Sequence, residues 1–313
     1  MRALSLLAVV VSFAIVTKAN AVEGGLGRSI TGTGVTNYAG VVPPESGWNL
    51  ALGYAYYSGK IQADRELPIS GVAALGLQAD FALTSLTGMY VWDTGEGRWN
   101  FASMISLPYA EVDVSADFEV GDIRRTTNDS VGKPFDISFV PLMAGYHFDE
   151  TRHLSLALYV SAPTGDYDPQ RLANPSLNVW VYSPTIAYTQ LLQGGTLEWS
   201  TAVGVDFSSN NDATDYQSGA ILHVDSLLVK NFKNGWGIGG VAGWIEQLED
   251  DTGPLADRLG GFRGRAFAAG PIATYQRKWG DTTVALSARW LSEFAVKKRL
   301  KGDPIMLTAS IAF

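Results

Sequence analysis

PIMLTASIAF, Pro304 to Phe313, is the stretch that decides the fold. Ile305, Leu307, Ala309, Ile311 and Phe313 alternate with Met306, Thr308, Ser310 and Ala312. That period of two predicts a β-strand with one wholly apolar face and one face of small, mixed residues. An aromatic residue stands last, with no polar tail. A greasy strand at the edge of a soluble sheet is a template for aggregation. A closed membrane barrel has no edge, because its last strand pairs with its first. The stretch therefore predicts the closing strand of an outer-membrane barrel.

Composition agrees. Of 313 residues, 46% are apolar and only 17% charged, low for a soluble protein. With no Cys there is no disulfide framework, thiolate catalysis or Cys-ligated metal. A formal net charge of −8 argues against a nucleic-acid partner, which is held by counterion release to cationic side chains. Residues 1–21 have the layout of an export signal: Arg2, then the apolar run Ala3 to Val16, then Ala19-Asn20-Ala21 as a small-x-small cleavage site. The mature chain is expected to begin at Val22. Beyond residue 21 no apolar run approaches the ~20 residues of a spanning helix. That leaves an exported soluble protein or a membrane barrel, whose alternating strands escape hydropathy.

Residues 22–46 are rich in Gly and Pro, with little periodicity. They read as a lead-in that either lies free in the periplasm or folds into the lumen as a plug. From residue 47 to 313 the pattern is that of an all-β, transmembrane antiparallel barrel of about twelve strands. The predicted strands lie near 47–57, 75–92, 99–109, 135–148, 154–160, 180–188, 197–207, 219–230, 236–249, 267–275, 284–290 and 304–313. Glu111 to Lys133 reads as a long charged connection. Connections alternate long and short, and both chain ends fall on the short-turn side, as in bacterial outer-membrane barrels. The rival is a secreted β-sandwich. It needs no aromatics at both strand ends, whereas Trp48, Trp92, Trp99, Trp180, Trp199, Trp236, Trp244, Trp279 and Trp290 mostly sit there, as interfacial girdles do.

If the apolar stripe meets lipid, the opposite face meets the lumen. In the best-phased strands that face carries Tyr159, Glu198, Ser200, Asp206, Ser287, Arg289, Met306 and Thr308. Glu198, Asp206 and Arg289 would be costly in hydrocarbon, at roughly 2–4 kcal/mol for a midplane Arg. Two roles fit this set: a structural network that holds the lead-in, or the lining of a permeation path. Strands two, four and nine leave their phase open. In the fourth, Phe139, Pro141 and Met143 oppose Val140, Leu142 and Ala144; in the ninth, Val241 and Ile245 oppose Ala242 and Trp244. Apolar residues on an inner wall suit small apolar molecules better than the water-filled bore of a diffusive porin.

Nothing assigns catalytic, cofactor-binding or metal-ligating residues. The three His are His147, His153 and His223. No Gly-x-Ser-x-Gly or His-Glu-x-x-His pattern accompanies them. His223 has Ser218 and Ser226 near it in sequence, the one arrangement a membrane hydrolase could use. The acidic loops lack calcium-loop spacing. Lys297, Lys298, Arg299 and Lys301 form a basic loop that meets lipopolysaccharide phosphates or is simply solvated.

A resemblance adds to this. Ser161-Ala162-Pro163-Thr164-Gly165-Asp166-Tyr167-Asp168 follows the fifth strand, with Asn174, Asn178-Val179-Trp180 and Pro184 after it. Glu23-Gly24, Pro43-Pro44 and the Tyr-rich strand with Tyr54, Tyr56 and Tyr57 stand near the start. Together these resemble the meta-pathway of phenol degradation family, a group of proteobacterial outer-membrane channels. The resemblance implies a monomeric twelve-stranded barrel. It also implies a narrow channel, partly occluded by the amino-terminal segment, that admits small hydrophobic compounds. It implies no catalytic residues. The expectation is thus passive uptake of small hydrophobic, including aromatic, molecules across an outer membrane. The partners are the lipid bilayer, lipopolysaccharide and the solutes themselves. The alternatives are a closed structural or adhesive barrel acting through its external loops, and a general porin.

Overall fold

The structure is a computed structural model that describes residues 29–61, 67–69, 72–74, 76–95, 97–120, 123–258, 260–280 and 282–313. The expected export signal and residues 22–28 of the lead-in lie outside the described residues. Twelve antiparallel strands form one closed barrel: β1 (Gly47–Ile61), β2 (Gly76–Val91), β3 (Trp99–Val120), β4 (Ile123–Pro134 and Ser138–His147), β5 (Arg152–Ser161), β6 (Val181–Leu192), β7 (Leu197–Ser208), β8 (Ile221–Asn231), β9 (Trp236–Gln247), β10 (Arg265–Trp279), β11 (Thr282–Trp290 and Ser292–Lys297) and β12 (Lys301–Gly302 and Ile305–Ala312). Each pairs with its neighbours in sequence, and β12 closes on β1 from Asn49↔Ala312 to Tyr56↔Ile305. Backbone bonds between Trp48 and Phe313 finish that seam, at 3.0 Å in each direction. A small hairpin (Leu67–Ile69 with Val72–Ala74) and one short helix, α1 (Pro254–Arg258), sit in long connections.

The closing stretch is oriented as its alternation predicts. Ile305, Leu307, Ala309, Ile311 and Phe313 are exposed on the outer wall, while Met306 is buried and Thr308, Ser310 and Ala312 are half-buried on the inner one. The same rule runs through β7, where Trp199, Val203 and Phe207 are exposed and Glu198, Ser200, Ala202 and Asp206 are buried. An outward belt of Leu, Ile, Val and aromatics on a barrel with a buried polar interior inverts the soluble arrangement and marks a hydrocarbon-facing wall. Aromatic clusters rim the short-turn end: Trp48 against Tyr90 and Tyr90 against Trp92, Trp99 against Tyr146, and Trp236 against Tyr275, with ring centroids 4.8–5.2 Å apart.

One expectation is corrected. Glu111 to Lys133 is not a loop. It is the outer half of β3 and β4, paired from Tyr109↔Pro134 to Val120↔Ile123. β3 has 22 residues, about twice the 9–11 that cross a bilayer. Its outward residues change from Ile105, Leu107 and Tyr109 to Glu111 and Asp113, which marks where the wall leaves the membrane. Charge density made the segment look like a loop. The inward Val112, Val114 and Ala116, all buried, keep it in the sheet.

The phases left open also resolve. In β2, Leu77 and Ala79 are buried on the inner face while Gln78 is exposed, so the apolar set there points inward. In β9, Val241 and Ile245 are buried and Ala242 is exposed. A register shift in the β4–β5 ladder between Phe139 and Met143 lets both Val140 and Met143 be buried with Leu142 exposed. A bulge adds a residue to one strand and breaks simple alternation there, so a period-two reading loses the phase.

Candidate functional site

The inner wall splits into two unlike halves. On one half, from β4 round to β11, residues 29–46 lie against the wall. Strand after strand contributes a polar side chain that satisfies the segment's backbone. Asp225 on β8 accepts from the Gly32 N–H at 2.8 Å and the Gly34 N–H at 2.7 Å. Glu198 on β7 accepts from the Tyr38 N–H at 2.5 Å and from Asn37 at 3.1 Å. Thr189 on β6 accepts from the Gly40 N–H, and Ser155 on β5 donates to the Ala39 carbonyl. Arg289 on β11 donates to the carbonyls of Gly32 and Val35, at 2.9 and 2.7 Å. Ser29 donates to Asp206, Thr31 to Glu293, and Arg299 to the Ser29 carbonyl. At the turn end His147 Nε2 donates to the Val42 carbonyl at 3.1 Å, while its Nδ1 lies 2.6 Å from His153 Nδ1.

A Gly-rich segment without regular structure cannot bond to itself, so its buried N–H and C=O groups need partners. The wall supplies them. Val35 and Val42 are fully buried, each adding about 1.5–3 kcal/mol of apolar burial. The contact is close enough to require glycine. A Cβ on Gly40 would lie 2.5 Å from the Thr189 nitrogen, and one on Gly145 would lie 2.5 Å from the Val42 Cβ. The plug segment expected from the sequence is held against this wall by four buried carboxylates (Glu198, Asp206, Asp225, Glu293). Six plug groups donate to them: the N–H of Gly32, Gly34 and Tyr38, the Asn37 amide, and the hydroxyls of Ser29 and Thr31.

The middle of the other half, β12–β1–β2–β3, is bare; at its margins Met306 and Ala55 pack with the cluster around Val35, and Val91 and Ala102 with Val42. Its inward residues are small or flexible: Thr308, Ser310, Asn49, Ala51, Gly53, Ser85, Thr87, Met89, Met104 and Ser106. All are half-exposed although they face inward, and open space stands before the eight small ones, while Met89 and Met104 pack against the cluster around Val42. Toward the long-loop end the space closes over an apolar cluster. Tyr57, Leu77, Ala79, Ala110, Val112 and Val114 of the wall pack with the loop residues Leu172, Ala173, Phe262 and Leu300. Phe81 and Leu83 continue that surface toward the bare wall. The loop carrying Leu172 and Ala173 is tied down by Asp129, which accepts from Arg171 at 2.6 Å and from the backbone of Leu172 and Ala173. Burial would raise the Asp129 carboxyl, but Arg171 and the two N–H groups outweigh it and hold it below the usual range.

All eight residues expected at the lumen face inward. Glu198, Asp206 and Arg289 bind the plug directly, Ser200 donates to Glu198, and Met306 packs in the cluster around Val35. Tyr159 packs beside Met143 and Val42. Ser287 and Thr308 are half-exposed toward the bare side. His223 lies on the inner wall, 3.2 Å from Asp206. Ser226 instead receives a hydrogen bond from Trp199, so no Ser–His pair meets the lipid wall there. Among the described residues no cluster of three or more His, Cys, Asp or Glu could hold a metal.

The profile of the family described as the MetA-pathway of phenol degradation matches residues 63–309. The chain belongs to that family. No curated protein matches it significantly. The crystal structure of the COG4313 outer membrane channel from Pseudomonas putida F1 is similar, with a TM-score of 0.67 at 16% identity over 89% of this chain and 100% of that one. A Pseudomonas aeruginosa FadL homologue gives 0.46 at 10% identity, over 94% and 98% of the two chains. The family member described here is an outer-membrane β-barrel. Its sequence alone missed several plug ligands. Asp225 carried a signal, a carboxylate amid the apolar residues of β8. Glu293 did not, because β11 was expected to end at Trp290 and its continuation reads as loop.

Proposed function

We propose that this barrel passes small hydrophobic molecules, aromatic ones among them, across the outer membrane by passive movement along the bare half of its lumen. The observation that carries this is the pairing of a bare inner wall with an apolar closure. The outer end is closed by an apolar cluster that includes Leu172, Phe262 and Leu300, with Lys298 over the Phe262 ring. Beyond them a solute meets Phe81 and Leu83, then the small hydroxylated Ser85, Thr87 and Ser106, with Met89 near the turn end. Ion-selective pores use rings of charge or carbonyls along a wet path. Here the charged residues on the plug side are occupied by plug contacts. The family match to a phenol-degradation pathway supports the same chemistry of solute. The protein acts without catalysis on this reading, and as a monomer.

Reconstitution tests it. Ionic conductance in planar bilayers is expected to be low, while vesicles carrying the protein take up a small aromatic hydrocarbon faster than protein-free vesicles. A large, steady ionic conductance would make it a general porin. Uptake equal to the protein-free control would make it a closed structural barrel.

A further inference from the structure

The outer wall carries a second feature, independent of what passes through the lumen. Across β9, β10 and β11 three outward aromatics stack side by side. Trp244 and Phe267 are 5.8 Å apart at 6°, and Phe267 and Phe294 are 6.1 Å apart at 21°. They stand at the long-loop end of the apolar belt, with Phe294 52% exposed. Above them cations face each other. Arg265 pairs in register with Lys297, and Lys60 on β1 pairs in register with Lys301 on β12. Four basic residues thus rim four adjacent strands.

Like charges directly opposite on neighbouring strands repel and destabilise a sheet. Two such pairs side by side call for an anion. The protein does not supply enough of it. Among the described residues Lys60, Lys297 and Lys301 are exposed and form no ion pair. Arg265 Nε makes no hydrogen bond, and its nearest carboxylate oxygen, on Glu246, is 3.9 Å away. Among the described residues Glu246 and Asp303 also stand on this rim.

We infer that this rim binds the phosphorylated glucosamine headgroup of the outer-leaflet glycolipid. Its acyl chains would lie along the Trp244–Phe267–Phe294 ladder, and its phosphates between Arg265, Lys297, Lys301 and Lys60. Apolar tails and a doubly anionic head match the two rows in order, and the site continues the hydrocarbon-facing belt. Guanidinium and ammonium groups donate charge-assisted bonds to phosphate oxygens.

The test is thermal unfolding of the detergent-solubilised barrel titrated with bisphosphorylated lipid A, with dephosphorylated lipid A and with phosphatidylglycerol. Bisphosphorylated lipid A is expected to raise Tm, and the other two to do so weakly. The triple variant Lys60→Gln, Lys297→Gln, Lys301→Gln is expected to need about tenfold more lipid A for the same shift, the sum of three exposed charge contacts. Lys233→Gln with Lys278→Gln, at the opposite end, is expected to titrate like the parent. The inference is overturned if dephosphorylated lipid A or phosphatidylglycerol stabilises the parent equally. It is overturned too if the triple variant, its fold checked by heat-modifiable gel migration, titrates unchanged. The lipid comparison on the parent decides the question even where the triple variant fails to fold.

Discussion

The plug-bearing wall and the bare wall enclose one lumen, yet their chemistry is opposite. Ala202, on β7, is 1% exposed beneath the plug. Ala51, on β1, is the same residue type on the same inward face and is half-exposed. The difference arises from what surrounds each. β5 to β8 and β11 carry Ser155, Thr189, Glu198, Asp206, Asp225 and Arg289, groups that match the donors and acceptors of a chain without secondary structure. β12 to β3 carry Ala, Gly, Ser, Thr and Met, which offer it little. Plug placement is therefore decided by hydrogen-bond supply, and the path is what remains.

Removing residues 29–46 is expected to break the contrast most. Four carboxylates, Glu198, Asp206, Asp225 and Glu293, would lose their plug partners and line a wet bore. Bilayer recordings should then show a steady, cation-selective conductance that the parent lacks. Asp225→Ala is milder. It strands the Gly32 and Gly34 N–H groups, at about 1–3 kcal/mol for each buried group left unpaired. Flickering conductance and earlier protease access to the plug are the expected readouts. Gly145→Val drives a side chain into Val42 and should loosen the turn end of the plug, seen as faster amide exchange at residues 40–43.

On the bare side the expected effect is on uptake and not on stability. Ala51→Leu and Ser85→Leu fill open space, so Tm should move little, within about 0.5 kcal/mol of stability. Aromatic uptake should fall. A loss of uptake from Ser200→Leu alone, with Ala51→Leu silent, would put the path on the wrong wall.

The smallest effect concerns the loop that closes the outer end. The carboxyl of Asp129 is lowered in the folded state. Its contribution is thus fully present above the ordinary value near 4 and lost as pH falls through the lowered one. Pepsin cleavage within 166–178 should rise as pH drops below about 4 in the parent. Asp129→Asn should be cleaved readily throughout, with a flatter pH profile.

Much of this barrel was legible because lipid imposes a strict alternation. Ile305 to Phe313 shows it without interruption and Trp199 to Phe207 with Thr201 alone out of pattern, so strand number, closure and the inward set followed from period alone. What was hidden lay where that constraint lapses. Beyond Tyr109 the wall meets water on its outer face, so β3 and β4 become charged and mimic a loop. At Phe139 to Met143 a bulge slips the phase. The plug contacts were beyond reach for a different reason. Residues 29–46 have no periodicity, and their partners lie as far as 270 positions away, as in Ser29 with Arg299.

The parent has no Cys, so single thiols report local access cleanly. Ala51→Cys and Ala202→Cys, each folded in detergent and exposed to a small water-soluble maleimide, compare the two walls directly. The expected result is rapid labelling at position 51 and protection at 202 that disappears when residues 29–46 are deleted. Equal labelling of both sites in the intact protein would contradict a lumen divided into an occupied and an open side.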